Sequence, residues 1–250
     1  MIVVREELAS TNSDPLVLAA DAPHGLTVAA RSQTAGRGQR GNVWESAPGM
    51  NLSFSTVIRP QHIEASRQFV LSMAVALAVV RVVRDELPDC LSDRVRVKWP
   101  NDIYVGDRKI AGILIENTLT GRRIDKLVAG VGLNVNQQEF VSDAPNPVSL
   151  CMLSGRGHEL DGLLRRVSDA IVAACEQADA GGDEAAGTLL QRYCSELWRN
   201  DGELHRWAEM PSRRVVDAAI EDVGIDGTLS LRHADGSVRG YAFKEIAALI

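Results

Sequence analysis

The chain has 250 residues, 45% of them apolar and 24% charged, with a net charge of −6. That is the composition of a globular protein with a sizeable core, in one large domain or in one large and one small domain. The acidic balance, with no basic tail or basic helical stripe, gives no support to a nucleic-acid partner or to an anionic membrane surface.

The opening MIVVREELAS lacks the basic start and long apolar core of a signal peptide. Ser10-Thr11-Asn12-Ser13 precede a short apolar segment, Leu16 to Ala20, and are expected to cap a helix there. Leu26 to Ala30 reads as a strand that leads into residues 34–42, TAGRGQRGN, where Gly36, Gly38 and Gly41 alternate with Arg37 and Arg40. Glycine lets the backbone approach a ligand closely, and arginine supplies forked, permanent positive charge, so the loop suits a phosphate or a carboxylate. A solvated basic loop is the plainer reading of this segment alone. GRGQRG meets the spacing GxGxxG, but no helix with the expected acidic partner follows, and a GxxxxGK[ST] motif is absent from the sequence.

Further along, Asn51 to Val57 alternates polar and apolar residues and predicts a half-buried strand. Ile63 to Leu87 predicts the longest helix, stopped by Pro88. Its continuous apolar part, Phe69 to Val80, is 12 residues long, which is short for a bilayer and suits a buried helix. Val95 to Lys98, Ile103 to Val105, Lys109 to Asn117 and Lys126 to Val135 read as consecutive strands, with Gly106-Asp107 as a turn. His158 to Ala178 and Glu184 to Leu197 have helical spacing, broken by Gly181-Gly182. Val215 to Glu221, Thr228 to Arg232 and Val238 to Phe243 are short strands separated by Asp226-Gly227 and Asp235-Gly236, a small β module. Strands in succession with helices grouped around them, not strict βαβ alternation, predict an α+β main domain. Cys90, Cys151, Cys175 and Cys194 lie far apart with no CxxC pair, which fits reduced thiols in the cytoplasm better than disulfides or structural zinc.

Two motifs carry the chemistry. In Lys98-Trp99-Pro100-Asn101-Asp102, Pro100 sets a sharp change of direction after a strand. Lys98 is placed to neutralise phosphate, Asn101 to hold a nucleotide, and Asp102 to orient a lysine or help bind magnesium. A plain strand and turn would explain Pro100 and Asn101 but not Lys98-Trp99. Residues 108–116, RKIAGILIE, then offer Lys109 at the head of an apolar strand.

With Ser10-Thr11-Asn12, Gln33, the GRGQRG loop, KWPNDIYVGDRKIAGILIE, GVGLNVN and the terminal β module in this order, the chain resembles the biotin–protein ligases. The likeness is to the monofunctional, biotin–acetyl-CoA-carboxylase ligase type. It implies an α+β fold with a mixed sheet and helices over residues 1–200, a biotin/lipoate ligase-like catalytic domain. A small SH3-like β-barrel is implied over residues 201–250. The implied reaction activates biotin with ATP and Mg2+ to biotinyl-5′-AMP, then transfers it to a lysine of a biotin carboxyl carrier domain of acyl-CoA or pyruvate carboxylases.

The resemblance assigns catalysis to Lys109, Arg37 and Lys98. It sets Ser10, Thr11, Asn12, Gln33, Arg37, Gly38, Gln39, Lys109 and Gly112 around biotin. Arg37, Arg40, Trp44, Lys98, Asn101, Asp102 and Asn134 fall around ATP, with Trp44 stacked on adenine and Asp102 as a candidate metal ligand. Glu116 reads as a charged strand end outside the core site.

The chain departs from the family loop, GRGRxGR or GRGRxGH, at Gln39 and Asn42. The lost charge is expected to give a leakier adenylate or a weaker ligand-ordering transition, without loss of fold, and adding arginine at position 39 is expected to slow adenylate dissociation. Only nine residues precede Ser10, with no room for the helix-turn-helix of repressor members, so no DNA partner is expected. A cytoplasmic enzyme without a membrane partner is expected. An exposed edge strand is available to the carrier domain or to a second copy in a homodimer. The competing readings are a lipoate or octanoate ligase on the same fold, and a non-catalytic biotin or biotinyl-AMP sensor. Lys98 and Lys109 argue against the sensor, and Gln39 is the feature in its favour.

Overall fold

Runs of β-branched and aliphatic residues build the larger of two sheets in the computed structural model, which describes residues 1–38, 43–141 and 146–250. Its strands are β1 (Ile2–Leu8), β2 (Thr27–Gln33), β3 (Leu52–Ile58), β4 (Val95–Lys98), β5 (Asp102–Val105), β6 (Arg108–Thr120) and β7 (Arg123–Leu133). They lie in the order β1-β2-β3-β7-β6-β5-β4. Only the edge pair β1–β2 is parallel, so the sheet is mixed. A parallel pair needs a crossover. Residues 9–26 supply it, including the short helix α1 (Pro15–Leu18).

One face of this sheet carries α2 (Gln68–Glu86) and α5 (Leu160–Ala180), the latter preceded by the short helices α3 (Asp89–Ser92) and α4 (Leu150–Ser154). Helix α6 (Gly182–Ser195) packs beside α2 and α5. Helix α2 is apolar all round because it is buried among the sheet, α5 and α6. With the 3-10 turn Ala65–Arg67 before it, α2 is long and apolar enough to cross a bilayer, but most of that length is core. The opposite face of the sheet holds a smaller cluster under α1, formed by Val17, Ala22, Leu26, Val28, Val57 and Val128. The second sheet is antiparallel, from β8 (His205–Glu209), β9 (Arg214–Val223), β10 (Leu229–His233), β11 (Val238–Tyr241) and β12 (Ile246–Ala248), in the order β11-β10-β9-β8-β12. Its connection to the first is built on Trp99, whose Nε1 donates to Gly227 O at 3.1 Å and whose ring meets Phe243 edge-on at 6.1 Å. This anchoring is why the motif needs Trp99, which a strand and turn alone left unexplained.

The structure corrects several local expectations. Ser10 to Ser13 do not cap a helix by their side chains. Thr11–Ser13 form a 3-10 turn, and the cap of α1 is Asp14, which accepts from Leu16 N at 2.8 Å ahead of Pro15 at the first helical position. β3 is buried along its whole length instead of half-buried, because residues 10–14 and α1 cover the face that Ser53 and Ser55 occupy. Strands β1, β8 and β12 and the short helices α3 and α4 escaped the sequence pattern. β1 is an edge strand whose Arg5-Glu6-Glu7 breaks any apolar alternation.

One buried charge holds the crossover in place. Lys126 is 5% exposed, and its Nζ donates to Val17 O, Leu18 O and Ala19 O at 3.1, 3.0 and 2.9 Å. A cation on the carbonyl end of α1 satisfies acceptors that the helix leaves open. Lys126→Met keeps the length but orphans these acceptors. It is expected to cost about 2–4 kcal/mol, read as a lower midpoint in urea unfolding.

Candidate functional site

The cleft is laid out by the side-chain parity of β6 and β7. In register, Gly112 faces Gly132 and Leu114 faces Gly130, and these positions share the sheet face opposite α2. With glycine at three of these four positions the two strands form a flat floor, and other groups come down onto it. A Cβ on Gly132 would stand 2.2 Å from Trp44 Cε2, and one on Gly130 would stand 2.2 Å from Asn12 Oδ1. The Trp44 indole thus lies across the Gly112–Gly132 pair, and Asn12 lies over Gly130.

Lys109 reaches this face through a bulge. In a regular strand it would share the parity of Ala111 and Ile113, which are buried toward the core. Ile103 pairs with Ala111 and Tyr104 with Lys109, however, leaving Ile110 unpaired. The extra residue re-aims Lys109 into the cleft beside Gly112. There its Nζ donates to Asp102 Oδ2 at 2.7 Å and sits 5.8 Å from the centre of the Trp44 ring.

Lys98 and Asp102 are cross-strand partners at the β4–β5 turn, so the same turn carries a second ammonium to the cleft. Lys98 Nζ lies 3.2 Å from Tyr104 Oη and over the rings of Tyr104 and Trp198. Burial lowers the Lys98 pKa from its ordinary value; Asp102 opposes that, while Lys109 and Arg199 push further down. The result is a partly desolvated pair of cations with one carboxylate between them, which favours a ligand that brings negative charge.

The other end of the cleft is polar, with its charges paired between Arg37 and Glu116. Thr11 N donates to Gln33 Oε1 at 2.8 Å. The buried Ser55 hydroxyl stands 2.7 Å from Thr11 Oγ1 and 2.5 Å from Asn12 Oδ1. Asn12 Nδ2 donates to Glu116 Oε2 at 2.7 Å, and Arg37 Nη2 reaches the same oxygen at 2.5 Å. The base of the glycine-arginine loop is pinned by Trp44 N donating to Gly36 O and by a bridge between Arg37 and Val43.

Ser10, Thr11, Asn12, Gln33, Arg37, Gly38, Trp44, Lys98, Asp102, Lys109 and Gly112 therefore line one cleft of about 270 Å³. Two expected residues stand behind its wall. Asn134 Nδ2 donates to Val148 O at 3.1 Å, tying residues 146–148 to the sheet beside Lys109. Asn101 Nδ2 donates to Ile113 O at 3.2 Å and braces the turn against β6. Both are buried outside the cleft lining, and their amide nitrogens support residues that line it. Gln39, Arg40 and Asn42 lie outside the described residues. Sequence reasoning missed Ser55, whose alternation in β3 was visible, and Glu116. It also missed Trp207, Phe243 and Ile246 of the second sheet, which complete the cleft and had no local signal.

Among the described residues no group of three His, Cys, Asp or Glu side chains converges as a metal site, and Asp102 is engaged by Lys109. The donor set does not fit a resident cation.

Comparison with known proteins follows the same outline. The bifunctional ligase/repressor BirA of Bacillus subtilis is 33% identical over 162 residues, 64% of this chain and 48% of that protein. The biotin–[acetyl-CoA-carboxylase] ligase of Paracoccus denitrificans is 36% identical over 126 residues, covering 50% of this chain and 51% of that protein. The chain spans about half the length of these curated relatives. In structure, the biotin protein ligase from Aquifex aeolicus in complex with biotin and ATP superimposes with a TM-score of 0.74 at 22% identity. That superposition covers 99% of this chain and 98% of the other, and so shares the fold of both sheets. The sequence profile of the biotin/lipoate A/B protein ligase family matches residues 7–134, from the end of β1 through the floor strands to Asn134, and the chain belongs to that family.

Proposed function

We propose that the chain is a biotin–protein ligase that forms biotinyl-5′-AMP from biotin and ATP and passes the biotinyl group to a lysine of a biotin carboxyl carrier domain. The observation that carries this is the polarity of one cleft. A neutral hydrogen-bonding set at Thr11, Asn12, Gln33 and Ser55 suits a cyclic urea, and Lys98 with Lys109 at the other end suits carboxylate and phosphate. Relatives named as biotin ligases, and a shared fold with a ligase bound to biotin and ATP, support the same reading.

In the first step a carboxylate oxygen attacks the α-phosphorus and pyrophosphate leaves. Arg37, Lys98 and Lys109 lower the repulsion between the two anions and hold them in line. Asp102 keeps Lys109 aimed until the ligand takes over the ammonium. In the second step the carrier's lysine amine attacks the mixed anhydride, an amide forms and AMP departs with the cations still on its phosphate. Mg2+ would arrive on the ATP phosphates as part of that substrate. Residues 1–200 serve as the catalytic domain, and residues 201–250 as the β module that closes the cleft. The outer edge of β1 is the surface we assign to the carrier or to a second copy.

The test is biotin- and ATP-dependent labelling of a purified carrier domain, with lipoate as competitor. Labelling that biotin supports and lipoate does not inhibit is expected. Labelling with lipoate in preference to biotin moves the chain to the other branch of its family.

The lowered Lys98 pKa gives a pH signature. An anionic ligand raises that pKa again, so binding takes up a proton once pH exceeds the value in the free protein. ATP affinity is then full below that value and falls as pH rises toward the ordinary lysine range of about 10. Lys98→Arg stays charged throughout. Its ATP affinity, measured by calorimetry, is expected to stay flat over the window where the natural chain weakens.

A further inference from the structure

Glu116 projects from the cleft face of β6, two positions beyond Leu114 and four beyond Gly112. Taken as a pair, Arg37 and Glu116 are unremarkable, since each side chain is nearly half exposed and such ion pairs contribute little. Their setting is different. The oxygen that receives Arg37 Nη2 at 2.5 Å also receives Asn12 Nδ2 at 2.7 Å. Asn12 is buried, 4% exposed, and its other amide atom is taken by Ser55 at 2.5 Å. One carboxylate thus fixes which way the Asn12 amide faces and where the Arg37 guanidinium waits.

We propose that Glu116 is a positioning residue of the ligand site, holding Arg37 at the cleft wall and orienting Asn12 toward the Ser55–Thr11 hydrogen bonds. The proposal rests on the biotin-ligase reading for its ligand, but not for the tether itself. An Asn12 amide turned the other way would present its NH2 to Ser55 and its oxygen to the carboxylate, which repels it. The charge on Glu116 therefore reads out twice, as guanidinium placement through Arg37 and as acceptor placement through Asn12. A solvated strand end would do neither.

Glu116→Gln keeps an oxygen for Asn12 and removes the charge facing Arg37, whereas Glu116→Ala removes both. For both variants, biotin KM is expected to rise about tenfold with kcat within about twofold, the mark of lost ground-state positioning. Trypsin cleavage after Arg37 in the ligand-free protein, followed by mass spectrometry, is expected to be several-fold faster in both. If Glu116→Gln matches the natural chain in KM and cleavage, the tether to Arg37 is refuted. Impairment of the alanine variant alone would reduce Glu116 to a prop for Asn12 and overturn the proposal in its stated form. The cleavage rates need no biotin. A natural chain that labels no carrier would therefore defeat the ligase reading, while the cleavage comparison still decides the tether.

Discussion

Lys109→Ala is expected to lower biotin adenylation by about 10²–10³-fold, the cost of removing one fixed donor from a site where charge concentrates on oxygen. The expectation comes from geometry more than from charge. Lys109 owes its place in the cleft to the unpaired Ile110, and its Nζ is held 2.7 Å from Asp102 Oδ2 beside the Gly112 floor. The other lysines are directed elsewhere: Lys98 is turned to Tyr104 and Trp198, Lys126 is committed to the carbonyls of α1, and Lys244 lies by the Phe243 ring. Lys109→Arg should recover only part of the loss, since a planar guanidinium on a longer stem cannot sit where a compact ammonium does. The fold should survive both changes. Lys109 and Asp102 side chains are about a quarter exposed, so water can replace the broken pair. ATP–pyrophosphate exchange driven by biotin measures the step directly. Exchange within threefold of the natural chain for Lys109→Ala would remove Lys109 from the chemistry.

That the residue could be singled out before any coordinates shows what kind of information the sequence carried. KWPND and RKIAGIL are local, since one turn and one strand start hold Lys98, Asp102 and Lys109, but it was the family resemblance that singled out Lys109, because regular alternation would have turned it toward the core. β4 to β7 are local as well, consecutive strands with short turns whose alternation survives because one face meets α2. Legibility failed where position depends on distant parts of the chain. Asn134 stands out in GVGLNVN, but the partner of its amide nitrogen, Val148 O, is fixed only by how residues 146–148 return to β6. Glu116 looks like a strand end, and it becomes a hydrogen-bonding centre because Asn12, 104 residues earlier, folds onto Gly130. β1 was invisible for a related reason. A parallel edge strand takes its order from the neighbour it pairs with, and Arg5-Glu6-Glu7 satisfies solvent on the outside. The contribution of Phe243 and Ile246 could not be read at all, since nothing in the β module's own sequence says that Trp99 will anchor it over the cleft.

Gly132→Ala is expected to be the most damaging small change in the floor, lowering labelling by about 10²-fold, the loss that a misplacement of about 1 Å can bring. A single added carbon would meet the Trp44 ring at 2.2 to 2.7 Å, where the ring already lies close over both Gly132 and its strand partner Gly112. The indole must therefore lift off the sheet. Lifting it should disturb stability little, because Trp44 is only partly buried and its Nε1 has no hydrogen-bond partner among the described residues. The cost falls on the ligand instead. The same Cβ occupies the face that a flat ring system would use, and the loop base pinned by Trp44 N and Gly36 O moves with the side chain. Trp44→Ala separates the two effects. If the alanine at 132 acts only by displacing the indole, adding it to Trp44→Ala should change labelling no further, and the two losses will not add. If it also blocks the ligand, the double variant should fall well below Trp44→Ala alone. Natural labelling by Gly132→Ala would show that neither the indole nor the ligand needs the bare floor, and the site would have to be rebuilt around the Lys98–Lys109 end alone.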